Sequence, residues 1–216
     1  PIAAGQLGVG PAIAAALTLT AVALALAPRL GRGFSICLAI YLVLNVLYSL
    51  GLKRLVILDV MTIALGFVLR VEAGALAIAV EVSSWLLLCT TFVALFLGFA
   101  KRRHELALQP QSGTGTRSVL EHYNLTFVDQ MINVVTASTI VSYALYTVDP
   151  GTAARHGTPH LIVTVPLALY GIFRFLFLLY QRPDRQSPTD AILHDPPFLI
   201  NLALWGLAVV FLIYGL

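Results

Sequence analysis

Charge is what this chain lacks most. Only 11% of its 216 residues are Asp, Glu, Lys or Arg, against 59% hydrophobic, where a soluble domain carries about 25% charged residues. That scarcity excludes an ordinary water-soluble domain, and a mean hydropathy of +0.90 points to lipid as the solvent. The alternation of apolar and polar residues that marks a membrane β-strand of about ten residues is also missing. The apolar runs Leu17–Ala27 and Trp85–Ala100 are continuous instead. Backbone polar groups in hydrocarbon must be satisfied internally, so helices remain. Cysteine is reduced to Cys37 and Cys89. Both sit inside apolar runs, read as small buried hydrophobes, and give no information on redox compartment. There is no secretory signal pattern, no initiator Met and no evident internal repeat. A chain that opens on Pro1-Ile2 is expected to be either a processed chain or a fragment of a longer one.

What is present is a series of apolar segments. A helix needs roughly 20 mostly apolar residues to cross a bilayer, and seven segments qualify: 10–27, 33–52, 55–71, 84–100, 124–148, 159–181 and 197–215. The third is short, and Ala73–Val80 is placed to extend it or to form a surface helix. The pattern predicts an all-α polytopic transmembrane bundle, with 1–216 forming one membrane-embedded domain. Lys and Arg in the connections set the orientation. Lys53, Arg54, Lys101, Arg102, Arg103, Arg117, Arg182 and Arg185 fall on one side; Arg29, Arg32 and Arg155 fall on the other. Eight against three predicts that the Lys53, Lys101 and Arg182 connections face the cytosol.

Polar residues inside the spans are where chemistry is expected, because they are costly at membrane depth. The fifth span carries Thr126, Asp129, Gln130, Asn133 and Thr136 at helical spacing, a stripe that suits a cavity or an interhelical seam. The second places Asn45, Tyr48 and Ser49 on one face, just before Lys53-Arg54. Arg174 lies seven residues inside Gln181, about 10 Å deep. It needs an anion, either a carboxylate such as Asp129 or a substrate phosphate. The connection that opens on Lys101-Arg102-Arg103-His104-Glu105 is read as either a snorkelling anchor or a phosphate site. Within it, Glu105 is spaced for an i,i+4 pair with Lys101, and Ser112-Gly113-Thr114-Gly115-Thr116 reads as a flexible loop without P-loop spacing. Together these residues describe a cation-rich pocket open to the cytosol, suited to a lipid with a phosphate head.

Several motifs occur in order along the chain. The run Tyr41-Leu42-Val43-Leu44-Asn45-Val46-Leu47-Tyr48-Ser49-Leu50-Gly51-Leu52-Lys53 resembles a signature of the UbiA-type prenyltransferases. Asp59-Val60, Gly66-Phe67-Val68-Leu69-Arg70-Val71-Glu72-Ala73-Gly74, Lys101-Arg102-Arg103-His104-Glu105-Leu106, Leu120-Glu121-His122-Tyr123, Asp129-Gln130-Met131, Tyr143-Ala144-Leu145-Tyr146-Thr147, Tyr170-Gly171-Ile172-Phe173-Arg174 and Asp195-Pro196-Pro197 resemble its phosphoribosyl-transferring branch, which acts on decaprenyl phosphate. The resemblance covers nearly the whole chain.

The resemblance implies a bundle of about nine helices around a cytosol-facing cavity. It also implies Mg²⁺ on an Asn-Asp-x-x-Asp motif, expected upstream of Pro1 along with two further helices, so that this piece alone would be inactive. The activity implied is transfer of 5-phosphoribose from phosphoribosyl pyrophosphate to decaprenyl phosphate, with release of pyrophosphate, in making precursors of a cell-wall arabinan. Lys53, Asp59 and Glu105 are the catalytic candidates. Asn45, Tyr48, Arg54, Lys101, Arg102, Arg103, Arg117, Tyr123, Asp129, Gln130 and Arg174 are the substrate-binding candidates. The partners implied are a polyprenyl phosphate, phosphoribosyl pyrophosphate and a bacterial plasma membrane; no nucleic acid is expected, and a homo-oligomer is left open. An aromatic prenyltransferase of the same family is a rival, but it would place an acidic pair where Lys101-Arg102-Arg103 stands. A transport or lipid-binding protein without chemistry is the second rival.

Overall fold

The computed structural model describes residues 5, 8–108, 119–181 and 188–215. Among these are nine α-helices and no strand: α1 (Val9–Leu26), α2 (Arg32–Leu50), α3 (Leu58–Ala77), α4 (Ser84–Ala107), α5 (Leu125–Val148), α6 (Pro150–His156), α7 (Val165–Gln181), α8 (Pro188–Leu193) and α9 (Pro196–Tyr214). Short 3₁₀ turns stand at Ala27–Leu30, Leu52–Arg54, Leu120–His122 and His160–Thr164. Seven helical segments, α1 to α5, α7 with its preceding turn, and α9, are long and apolar enough to cross a membrane. The fold is the all-α polytopic bundle that the apolar runs predict.

The helix starts follow local chemistry. A helix leaves its first N–H groups without partners, and a side-chain oxygen just before it can accept from one of them. Ser83 Oγ accepts from Leu86 N at 3.1 Å, Asn124 Oδ1 from Phe127 N at 2.7 Å, Asp149 Oδ2 from Thr152 N at 2.8 Å and Asp195 Oδ2 from Phe198 N at 3.0 Å. In α6 and α9 a proline follows the cap directly, where its fixed φ and missing N–H suit the first turn.

The core lies where α4, α5 and α7 meet, with Val60 of α3 added: Phe96, Phe99, Ala100, Val128, Ile132, Phe175, Leu178 and Leu179 are all buried. The rings of Phe96 and Phe175 lie 4.7 Å apart at 55°, a tilted geometry favoured by aromatic quadrupoles. Gly98 allows α3 to approach α4 closely, since a Cβ there would stand 2.5 Å from Val60 Cγ1. Large apolar side chains such as Leu19, Val43, Leu207 and Phe211 are exposed on the outside of the helices, as befits surfaces solvated by lipid tails. A cavity of about 180 Å³ between α4, α5, α7 and α9 is lined by Cys89, Val93, Thr139, Tyr143, Ile172 and Trp205. It is almost wholly apolar. It lies toward the end of the bundle opposite Lys53 and Lys101, near the start of α4 and the end of α5.

One alternative is decided, one boundary differs from expectation, and two connections gain helices. The third span continues to Ala77, so the stretch after Arg70 extends the helix. The fourth span does not stop at Ala100: Lys101–Ala107 adds two turns. Lys, Arg, Glu, Leu and Ala are strong helix formers, and Arg102 and Glu105 pair across one turn, so the charged segment continues the helix out of the apolar layer. The connections after the fifth and sixth spans contain the short helices α6 and α8. The Ser112–Thr116 segment, Arg117, Arg182 and Arg185 lie outside the described residues.

Candidate functional site

The basic end of the bundle gathers the end of α2, the turn at Leu52–Arg54, the start of α3, the last turns of α4, the start of α5 and the end of α7. Its centre is a closed polar network. Asp59, in the first turn of α3, is fully buried, and Arg102 of α4 is 1% exposed. Arg102 Nε donates to Asp59 Oδ2 at 2.7 Å, and its Nη1 donates to Glu105 Oε2. Tyr123, just before α5, donates from its hydroxyl to Asp59 Oδ1 at 2.8 Å. The same hydroxyl accepts from the N–H of Ile57 at 2.6 Å. Each buried charge is therefore paired and hydrogen-bonded, the condition under which burial is tolerated. Burial is the main effect holding the Tyr123 phenol above its ordinary pKa; the bond to Asp59 adds to it and the Ile57 N–H opposes it. Tyr123 thus remains a proton donor to Asp59.

Ile57 has φ 69° and ψ −48°, and Leu58 N donates to Val56 O at 2.8 Å. This is a γ-turn of the rare, strained kind. The Tyr123 hydroxyl bonds the turn at its strained residue, and so fixes the chain that runs from Lys53-Arg54 into α3.

A second network lies beside the first, toward α5 and α7. Arg103 Nε donates to Asp129 Oδ1 at 2.7 Å, and Arg103 Nη1 donates to Leu179 O at 3.3 Å. The guanidinium stands 4.0 Å from the centre of the Tyr180 ring, and the Tyr180 hydroxyl donates to the same Asp129 oxygen at 3.0 Å. Both members of this ion pair keep partial access, at 16% and 32%.

A third pair is separate. Arg174 binds Asp195 through two parallel bonds, Nε to Oδ2 at 2.9 Å and Nη2 to Oδ1 at 2.8 Å. Asp195 also caps α9, so one carboxylate joins α7 to the start of α9.

The structure therefore distributes the candidate residues in a specific way. Asp59, Glu105, Arg102 and Tyr123 form one buried unit. Arg103 and Asp129 form a half-buried one. Lys53 is half-buried, Arg54 and Lys101 are exposed, and among the described residues none of these three has an ion pair. On α2, Asn45 is exposed, with its Nδ2 donating to Tyr41 O at 2.7 Å, and Tyr48 is half-buried. Gln130 is exposed beside Thr126 and Asn133. Two partner choices differ from the spacing-based ones. Glu105 pairs with Arg102 rather than Lys101 because Arg102 is the residue turned inward toward Asp59. Arg174 pairs with Asp195 rather than Asp129, which Arg103 and Tyr180 already occupy. Tyr180 was not among the sequence candidates; its place one residue before Gln181, at the end of an apolar span, was the available signal.

Among the described residues no three His, Cys, Asp or Glu side chains converge to hold a metal ion. Asp59, Glu105 and Asp129 are each taken by an arginine. These residues do not fit Mg²⁺ as its resident ligands.

Comparison with known proteins bears on the whole chain. It is 29% identical over 217 residues to a decaprenyl-phosphate phosphoribosyltransferase of Corynebacterium glutamicum, an alignment covering 99% of this chain and 65% of that protein. It is 31% identical over 146 residues to a protein of the same name from Mycolicibacterium smegmatis, covering 68% of this chain and 46% of that one. A third of that name, from Mycobacterium tuberculosis, is 29% identical over 146 residues, covering 68% and 48%. The chain spans less than two thirds of the length of these curated relatives. No family model matches it. The chain is thus similar over 99% of its length to one protein named decaprenyl-phosphate phosphoribosyltransferase, and over 68% to two others of that name, in line with the branch that its motifs resemble.

Proposed function

We propose that the complete protein transfers 5-phosphoribose from phosphoribosyl pyrophosphate to a polyprenyl phosphate such as decaprenyl phosphate and releases pyrophosphate, supplying a precursor for cell-wall arabinan. The observation that carries this reading is the similarity over 99% of the chain to a protein named for that chemistry. An oxygen of the lipid phosphate forms a bond to C1 of the ribose while the C1–O bond to pyrophosphate breaks, and the electron pair leaves with pyrophosphate. The attacking phosphate is ionised near neutral pH, so no side chain has to remove a proton. Positioning two anions and neutralising the leaving group account for catalysis.

In this reading Lys53, Arg54 and Lys101, which have no carboxylate partner among the described residues, meet the donor's phosphates at the cytosolic face of a bacterial plasma membrane. Arg103, held by Asp129 and Tyr180 with part of its fork accessible, assists them. Asn45, Tyr48 and Gln130 line the approach, and Arg174 holds α9 in place through Asp195. Asp59, Glu105, Arg102 and Tyr123 form the support on which the rim is built. Mg²⁺ remains the proposed counter-ion of pyrophosphate. Asp59, Glu105 and Asp129 are committed to arginines and do not hold it. The basic end disfavours an aromatic prenyltransferase, whose donor site requires paired carboxylates in place of these cations.

The test is incubation of the full-length protein in membranes with labelled phosphoribosyl pyrophosphate and decaprenyl phosphate. A lipid-linked phosphoribose that forms with the lipid phosphate and is lost on chelation of Mg²⁺ is expected. Release of pyrophosphate only when an aromatic acceptor and a prenyl pyrophosphate are supplied would overturn the reading.

A further inference from the structure

Arg70 is a cation within an apolar span that the proposed site does not use. It lies twelve residues beyond Leu58 in α3, about 18 Å from the basic end at 1.5 Å per residue. It is exposed, and no ion pair engages it among the described residues. An ionisable side chain at that depth is expensive unless it has a task. Its guanidinium is nonetheless held in place. It lies 5.0 Å from the ring centre of Tyr41 and 4.9 Å from that of Phe67, and Nη2 donates to the Tyr41 hydroxyl. A guanidinium has five N–H donors, and this is the one hydrogen bond it makes among the described residues. Two aromatic faces and one hydroxyl orient the group and leave most of its donors uncommitted.

Its direction follows from the contacts of α3. Gly66, one turn before Arg70, lies against Tyr41 of α2, and Val60 lies against Gly98 of α4; Ala64, one turn after Val60, is buried as well. At about 100° per residue these two contact lines are about 140° apart on the side that carries Phe67 and Arg70, and about 220° apart on the other. Exposed apolar residues stand on both sides, Leu58, Met61 and Leu65 on the wider and Phe67 on the narrower, so it is the two helix contacts that set the direction. The narrower side faces into the angle between α2 and α4. On α2, Tyr41 shares its stripe with Asn45 and Tyr48 at spacings of four and seven, so Arg70 continues the Asn45–Tyr48 face inward from the basic rim. Glu72 lies about 200° around α3 from Arg70 and is turned away from it.

We propose that Arg70, oriented by Tyr41 and Phe67, is a second and deeper anion site, specific for a phosphate monoester. The planar fork matches phosphate oxygens bidentately, and the aromatic flanks keep it from collapsing onto a distant carboxylate. The proposal rests on the phosphoribosyl-transfer reading for its ligands: the 5-phosphate of the donor and the head of the lipid acceptor share this chemistry.

The experiment uses the full-length protein in detergent and reads binding without turnover. Ribose 5-phosphate and a short-chain polyprenyl monophosphate are titrated separately while thermal stabilisation is followed. Arg70→Gln should weaken one of the two by about ten- to hundredfold, the effect of losing a charge-assisted hydrogen bond or two, and leave the other unchanged; the ligand affected identifies the source of the phosphate. Arg70→Lys should recover part of the affinity, and Tyr41→Phe, which frees the guanidinium without removing charge, should cost severalfold. Arg29→Gln serves as the control. If Arg70→Gln does not fold, the Lys and Tyr41 variants decide. Absence of binding of both ligands to the wild type, or wild-type affinity in Arg70→Lys and Tyr41→Phe, overturns the site. Arg70-dependent binding without phosphoribosyl transfer supports the site and sinks the transfer reading.

Discussion

Arg102 and Arg103 are neighbours in sequence and opposites in setting. Consecutive residues on a helix point about 100° apart. Arg102 is turned toward α3, where Asp59 and Glu105 enclose it, and Arg103 toward α5 and α7, where Asp129 and Tyr180 leave it partly open. A run of cations in a sequence is therefore not a uniform patch. Of Lys101, Arg102 and Arg103, one is exposed, one is internal and one is intermediate.

Substituting the internal arginine is the strongest way to test that difference. Arg102→Ala leaves Asp59 buried and unpaired, and breaking a buried pair from one side costs about 3–5 kcal/mol. Loss of folded protein in detergent, or a large fall in Tm, is expected, where a donor-binding role for Arg102 would show chiefly as a raised KM in a protein of normal Tm. Tyr123→Phe probes the same unit more gently. It leaves the Ile57 N–H and one Asp59 oxygen without a partner, a loss of about 1–3 kcal/mol. The pH dependence has a definite sign. The folded phenol has a raised pKa, so its contribution is fully present below the ordinary phenol value of about 10 and is lost as pH rises past it. The Tm gap between wild type and Tyr123→Phe should narrow above that pH and stay constant below it; a gap that widens there would contradict the network. The smallest stability effect is expected at the open arginine. Arg103→Ala gives up a partly solvated pair, about 1 kcal/mol after screening, yet should raise the donor KM about tenfold or more if its accessible N–H groups meet phosphate. Arg102→Ala and Arg103→Ala should therefore rank oppositely in Tm and in KM, and the same ranking in both would erase the distinction between them.

The spans were legible because lipid imposes long apolar runs, and the boundaries of α2, α5 and α9 fall within two residues of expectation. The end of α4 was not, since an apolar criterion stops at the first charge, whereas Lys101–Ala107 stays helical through propensity and the Arg102–Glu105 pair. Candidate residues were legible as types, because a polar group in a membrane segment is conspicuous. Their partners were not. Asp59 meets Arg102 across 43 positions and Tyr123 across 64, distances fixed by how α3, α4 and α5 pack and by no local spacing. Asp195 could be read as a helix cap from the two prolines after it, but not as the partner of Arg174. Arg70 has no role readable from its own segment, because its orientation depends on Tyr41 in another helix.

The γ-turn at Ile57 carries a consequence for the divergence of related sequences. A β-branched residue at φ 69° costs of order 1–3 kcal/mol, which glycine would relieve. Loss of the Tyr123 hydroxyl costs a similar amount. Isoleucine-to-glycine at one position can therefore precede tyrosine-to-phenylalanine at the other with little net change in fitness, while the reverse order passes through a weakened protein. The two sites are an epistatic pair, and lineages that have dropped the hydroxyl should be those in which the turn had already become glycine.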